Sequence, residues 1–243
     1  MREVDLKIDL NRNFDRRTGI NRSSEGFTRS AKLSRGIGRT LSGWIKRGLD
    51  FVLASLGLIL LSPMIAMVVV VLLVAQGRPI FISQKRIGKD GVLFPCLKFR
   101  SMVNNASEAL ALHLASNPHL RAEWNATRKL QDDPRVTPLG RFLRKSSVDE
   151  IPQLLNVLCG QMSLVGPRPI VAGEVELYGP HFGHYTMVRP GMTGLWQISG
   201  RSDTSYGTRV DLDVQYVSER STWGDIVIML KTIPAVLQTR GSY

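Results

Sequence analysis

The chain begins polar, turns abruptly apolar, and then settles into alternating and helical patterns. Residues 1 to about 40 mix Arg, Ser and Asp with scattered apolar positions and hold no period, which predicts a mobile basic tail. Residues 51–75 contain no charged side chain. A straight helix of that length would reach about 37 Å, against about 30 Å for a hydrocarbon core. Ser62-Pro63 interrupts this run in its middle, and Gly77-Arg78-Pro79 ends it. Residues 80–87 and 92–100 then read as two short strands around Gly88-Lys89-Asp90-Gly91. Residues 103–130 read as helix, Asp132-Asp133-Pro134 as a turn and 139–144 as a short basic helix. A further helix starts near Asp149 and stops at Leu158-Cys159-Gly160, where Gly suits the left-handed position after a helix end. Gly166-Pro167-Arg168-Pro169 predicts extended chain, residues 188–200 a Gly-rich loop, and 208–219 and 223–237 two more helices. The last places Trp223, Ile226, Met229, Leu230 and Ile233 near helical spacing, for packing on the domain in preference to a membrane surface.

Charge decides how the apolar run sits. Arg29, Lys32, Arg35, Arg39, Lys46 and Arg47 precede it, and Arg78, Lys85, Arg86, Lys89, Lys98 and Arg100 follow it. Lys and Arg beside a membrane segment mark the cytoplasmic side. A spanning helix satisfies one flank; a helix-break-helix that dips in and returns satisfies both. Pro63 lacks an N–H and kinks a helix, and Ser62 can serve the backbone group so freed. Each half would be about 18 Å long, enough to anchor in one leaflet. The re-entrant arrangement is therefore preferred over a kinked spanning helix, and a cleaved signal peptide is not expected.

The 243 residues suit one moderate domain plus an anchor, and the net charge of +12 calls for anionic partners such as lipid headgroups or phosphorylated substrates. Cys96 and Cys159 form neither a disulfide framework nor a zinc spacing, which suits a reducing compartment.

Candidate chemistry gathers at Ser146-Ser147-Val148-Asp149-Glu150-Ile151-Pro152. With Ser147 as N-cap and Glu150 as its capping-box partner, Pro152 would fall inside the helix and cost about 3 kcal/mol. With Asp149 as N-cap, Pro152 falls in the first turn, where it is tolerated. The second reading is preferred, and it makes Asp149 a carboxylate whose ionised form a helix N-terminus favours. An ionised Asp beside a phosphate can act as a nucleophile, with Arg141, Arg144 and Lys145 neutralising phosphate oxygens. A plain helix cap would carry the same residues. Lys98-Phe99-Arg100-Ser101-Met102 alternates like a strand with one polar face, and Pro167 and Pro169 pre-order Arg168 for an anion. Asp211-Leu212-Asp213 and the His181–His184 spacing are weak metal signals, and there is no Walker loop, GxSxG or dinucleotide fingerprint.

These segments, taken in order, resemble a known family. Ser62-Pro63, Gln84-Lys85-Arg86-Ile87-Gly88 and Lys98-Phe99-Arg100-Ser101-Met102 match it, as do residues 133–140, 149–157, 162–169, 189–197 and 212–217. The chain from about residue 41 onward resembles the bacterial sugar transferases. These are polyprenyl-phosphate hexose-1-phosphate transferases of the monotopic phosphoglycosyl transferase superfamily. The resemblance implies an α+β, mostly helical fold: residues 41–77 as a re-entrant anchor broken at Ser62-Pro63, and 78–243 as a cytoplasmic catalytic domain. That domain would hold a small β-sheet and rest on interfacial amphipathic helices. Longer family members carry extra spanning helices, so a minimal form is expected, in the bacterial inner membrane.

The implied reaction moves hexose-1-phosphate from UDP-galactose, or second UDP-glucose, to polyprenyl phosphate. Asp149 matches the nucleophile and Glu150 its dyad partner, with Mg²⁺ at Asp149 and Glu150. Lys98, Arg100, Arg144 and Arg168 match phosphate- or nucleotide-holding positions, and Asp213 another active-site acid. Nucleic acid is not expected as a partner; a homo-oligomer is compatible with all of this. The alternative is a non-catalytic membrane adaptor that binds anionic lipid or a protein through its basic surface.

Overall fold

The computed structural model describes residues 25–117, 119–121, 124, 130, 133–199 and 205–237, with side chains from Gly43 onward. Residues 1–24 of the expected tail and most of 118–130 of the expected long helix lie outside these. The chain divides into Met1–Leu41 and Ser42–Tyr243, and every side-chain contact that follows concerns the second unit.

The apolar run lies in one long helix, α1 (Glu25–Gln76), which includes residues 25–40 of the segment expected to be irregular. The chain stays helical through Pro63, so the expected break at Ser62-Pro63 is not an interruption of the helix. The reason is local. Pro63 cannot donate to the Ile59 carbonyl, and Ser62 Oγ donates to that same oxygen at 2.8 Å. Among the described residues this is one helix long and apolar enough to cross a membrane.

One stripe of α1 faces the domain along most of its length. Ala54, Leu58 and Leu61 pack with Phe94, Cys96, Leu154, Val157 and Met162. Past the proline, Met64, Ile65, Val68, Val69 and Leu72 pack with Phe99, Leu139, Leu143 and Val148. The other face, including Val52, Leu56, Ile59, Leu60, Met67, Val70 and Val74, is exposed. Polar contacts fasten the N-terminal half. Lys46 donates to Asp225 at 2.6 Å and to the Val165 carbonyl at 3.1 Å. Arg47 donates to the carbonyls of Val157 and Leu158, and Asp50 accepts from the Leu164 N–H.

The two predicted strands form an antiparallel pair, β1 (Phe81–Ile87) and β2 (Leu93–Phe99), with Gln84 opposite Cys96 and Ile82 opposite Lys98. A short 3₁₀ turn at Lys89–Gly91 joins them, with Gly91 at φ +76°. Helix α2 (Ala106–Ser116) follows, then α3 (Pro138–Lys145), the predicted basic helix. Thr137 caps α3 by accepting from Gly140 N–H, and a side chain at Gly140 would place Cβ against the Ser101 carbonyl. Helix α4 (Gln153–Leu158) ends where expected, with Gly160 at φ +77°.

A second, unexpected pair is parallel: β3 (Ser163–Val165) with β4 (Gly191–Thr193), the latter inside the predicted loop. It forms because Gly166 and Gly191 let two backbones approach; a Cβ on Gly191 would meet the Gly166 nitrogen. Short helices α5 (Val175–Tyr178), α6 (Phe182–Thr186) and α7 (Leu195–Ile198) lead to α8 (Tyr206–Glu219) and α9 (Thr222–Leu237). Helix α9 does pack on the domain, with Ile228 buried beside Val165, Tyr216 and Val217. It also leaves Trp223, Leu230 and Ile233 exposed, on the helix that receives Lys46. The result is mostly helical with two small sheets and one long apolar helix.

Candidate active site

Three elements bring the charged residues together. β2 supplies Lys98, α3 supplies Arg144, and a 3₁₀ turn (Val148–Glu150) supplies Asp149 and Glu150. Asp149 is not the N-cap of an α-helix as expected, because α4 begins only at Gln153, after Pro152. Ser147 opens the turn in the left-handed region at φ 57° and makes no side-chain cap. A non-Gly residue there costs of order 1 kcal/mol, and such strain collects at functional sites.

The position of β2 against this turn is held by Asn156, which is buried. Its Oδ1 accepts from Leu97 N–H at 2.9 Å and its Nδ2 donates to the Pro95 carbonyl at 2.8 Å. Lys98 Nζ then donates to Glu150 Oε1 at 2.6 Å and lies 3.9 Å from Asp149 Oδ2. One ammonium thus serves two adjacent carboxylates. Asp149 is buried, and burial together with the Glu150 charge pushes its carboxyl up to about 6, with Lys98 and Arg144 opposing. Glu150 moves the other way: burial works to raise it, but Lys98 and Arg168 hold it below the usual carboxylate range. The two neighbours therefore differ in character, one poised near neutrality and one firmly ionised.

Arg144 donates from Nε to Ser101 Oγ at 2.9 Å. Burial lowers its guanidinium, and Asp149 is the strongest charge acting against that. Arg168 has its guanidinium 5.8 Å from the Trp196 ring centroid, and its charge is felt by both Glu150 and Asp213. Arg209 approaches the same ring at 4.9 Å. Arg86 donates to the Pro169 carbonyl at 3.0 Å, steadying the Pro-Arg-Pro segment. Neither Arg86 nor Arg209 is marked by a local signal of its own. Arg86 could be found only through the Gln84–Gly88 motif.

Two expected site residues have different surroundings. Arg100 is turned away to the end of α1, where it donates to the Gln76 and Gly77 carbonyls and to Asn104. Asp213 is buried against Tyr178, and its charge is felt by Tyr185 and Tyr206. Its Oδ2 accepts from Tyr178 Oη at 2.6 Å, while its buried Oδ1 has no partner among the described residues.

Burial pushes the Asp213 carboxyl up to about 7, against the opposing effects of Tyr178 and Arg168. An unfolded Asp titrates near about 3.9. The folded state therefore prefers the protonated acid, a preference fully expressed below about pH 4 and lost as pH rises through about 7. Asp213→Asn keeps an acceptor for Tyr178 and removes the charge. It is expected to melt several degrees above the parent at pH 8, an advantage that shrinks toward pH 4.5. Thermal unfolding in detergent at both values checks this; an advantage independent of pH would count against a buried, titrating Asp213.

Comparison with known proteins places this arrangement in context. The family model described as "Bacterial sugar transferase" matches residues 41–239. The chain is 50% identical over 205 residues to the exopolysaccharide production protein ExoY of Rhizobium meliloti, covering 84% of this chain and 91% of that protein. It is 47% identical over 212 residues to the undecaprenyl-phosphate galactose phosphotransferase of Salmonella typhimurium, covering 87% of this chain and 44% of that longer protein. Against the UDP-glucose:undecaprenyl-phosphate glucose-1-phosphate transferase of Escherichia coli, identity is 37% over 197 residues, covering 78% and 39%. The ordered motifs, the carboxylate pair beside Lys98 and the extent of these matches lead to one conclusion: the chain belongs to the bacterial sugar transferase family, and it is a phosphoglycosyl transferase.

Proposed function

We propose that this protein transfers hexose-1-phosphate from a UDP-sugar to undecaprenyl phosphate, through a covalent intermediate on Asp149, as the first membrane step of exopolysaccharide synthesis. The observation that carries the reading is the buried Asp149 beside Glu150, with Lys98 and Arg144 against it. The names of the relatives supply the substrate class. An Asp149 oxygen attacks the sugar-bearing phosphorus of the donor. The bond from that phosphorus to the bridging oxygen breaks, and UMP departs with the oxygen and its electron pair. A phosphate oxygen of the lipid then attacks the same phosphorus, and the Asp149 carboxylate leaves. Lys98 and Arg144 offset charge on the transferring phosphate, and Arg168 holds the donor's other phosphate.

Two adjacent carboxylates facing one ammonium form a donor set that a hard divalent ion accepts alongside substrate phosphates. Among the described residues no group of three or more His, Cys, Asp or Glu could hold a metal alone, so the diphosphate would complete the shell. Mg²⁺ would be held by Asp149 and Glu150; when bound it neutralises diphosphate charge and eases departure of UMP.

For the sugar, galactose is the first choice and glucose the second. Relatives named for galactose are 47%, 48% and 43% identical, and those named for glucose 37% and 36%. For the membrane, packing of both halves of α1 on one domain supports a shallow, re-entrant seat, and the Lys and Arg residues on both flanks of the apolar run favour the cytoplasmic side for the domain. A spanning helix would carry one half about 15 Å or more beyond the domain's reach. The exposed Trp223, Leu230 and Ile233 of α9 support a second contact at the lipid surface. The test is UMP release from UDP-galactose and UDP-glucose by the protein in nanodiscs, with Mg²⁺ and polyprenyl phosphate. Release with one of them identifies the donor. No release from either, with lipid binding intact, points to another donor sugar or to the adaptor alternative, and a wider UDP-sugar panel separates the two.

A further inference from the structure

The last carbonyls of a helix lack partners within it, and α1 has no basic residue in its last turn to serve them. Arg100 serves them from another element. It is 4% exposed, and its NH2 group donates to the carbonyls of Gln76 at 2.5 Å and Gly77 at 2.9 Å. Its NH1 donates to Asn104 Oδ1 at 2.6 Å, and its backbone N–H to the Ile80 carbonyl at 2.8 Å. A second line runs beside the first. Gln76 Nε2 donates to Thr137 Oγ1 at 2.9 Å, and that oxygen also accepts from Gly140 N–H at the start of α3. Thr137 N–H donates to the Ser101 carbonyl, and Ser101 Oγ accepts from Arg144. The end of the apolar helix is therefore joined to both arms of the site. Lys98 lies two residues back from Arg100 on β2, and Arg144 lies on α3.

We propose that Arg100 is a positioning residue that fixes Lys98, Arg144 and Asp149 relative to the lipid-facing helix, and that the step it governs is transfer to the lipid-borne phosphate. The inference rests on the two-step reading above. A UDP-sugar is free in solution and can approach from any height. The acceptor phosphate is confined to the plane of the lipid headgroups, so its approach to Asp149 is set by how the helix and the site are joined. Misplacement by about 1 Å can cost about 100-fold in rate. A direct phosphate-holding role for Arg100, which its place in the Lys98–Met102 motif suggests, would weaken the donor step equally.

The experiment compares Arg100→Met and Arg100→Lys with the parent in nanodiscs, using three assays. The first is exchange of labelled UMP into UDP-sugar without acceptor, which reads the donor step. The second is transfer to full-length polyprenyl phosphate in the bilayer, and the third is transfer to a short, water-soluble isoprenyl phosphate. For Arg100→Met, bilayer transfer is expected to fall about 30-fold or more, with exchange within about 3-fold of the parent and the short acceptor largely relieving the loss. Arg100→Lys should lie between, since an ammonium can cap the carbonyls but cannot fork to Asn104 as well. It also keeps the test decisive if Arg100→Met does not fold. Equal loss in exchange and transfer, or no loss in either, overturns the inference alone. Absence of exchange in the parent overturns the two-step reading and the inference with it.

Discussion

Asp149→Asn is expected to abolish UMP release and lipid transfer together, by about 10⁴-fold or more, because the proposed covalent bond forms on this carboxylate. The carboxylate is buried, and it is the member of the pair with its carboxyl raised to about 6. At pH 7.5 it is largely ionised, yet it is poorly solvated, which leaves it reactive toward phosphorus. Asparagine has nearly the same volume and adds no buried charge, so the fold and membrane attachment should be kept. Loss of Lys98's more distant partner leaves the 2.6 Å bond to Glu150 in place. The check has three parts: UMP release, thermal stability, and capture of labelled phosphosugar on the protein. UMP release retained in this variant, with parental stability, would remove Asp149 from the nucleophile's role. Loss of activity with loss of fold would be read against Asp149→Glu, which retains an acid.

Lys98→Met should cost about 10²- to 10³-fold in kcat/KM, the usual scale for removing one charge-stabilising donor. The variant also alters the carboxylates. The ammonium is the strongest charge holding down both the Asp149 and the Glu150 carboxyl. Without it, two adjacent acids share one turn, with Arg144 opposing the rise of Asp149 and Arg168 holding Glu150 down. Asp149 must be ionised to attack, so activity of the parent rises with pH through a limb near 6. Mg²⁺ held by Asp149 and Glu150 as proposed would act as another positive charge and move that limb lower. In Lys98→Met the limb moves to higher pH, since protonation of either acid now relieves repulsion. A pH–rate profile of kcat/KM at fixed Mg²⁺ measures the shift. A limb in its original place, with only the height of the profile reduced, would mean that Lys98 acts on the substrate phosphate alone.

How far the chain could be read depended on the range of the interactions concerned. The apolar run, the β1–β2 pair and its Gly turn, and helices α3, α8 and α9 were legible because each follows from neighbours in sequence: periodicity, caps and turn residues. The left-handed Gly160 and the service of Ser62 to the carbonyl freed by Pro63 are local too. The identity of the site residues was legible through ordered motifs, which record chemistry without geometry. What the motifs could not convey is surroundings. The three-residue β3–β4 pair has no period to detect; it exists because Gly166 and Gly191 meet across the fold. Asp149 read as a helix cap with a favoured charge, and burial beside Glu150 reversed that. Arg100 lay in the same motif as Lys98, yet the first turns to helix carbonyls and the second to the carboxylates. Desolvation and the pairing of charges depend on which distant segments are brought together, and only the tertiary structure decides that.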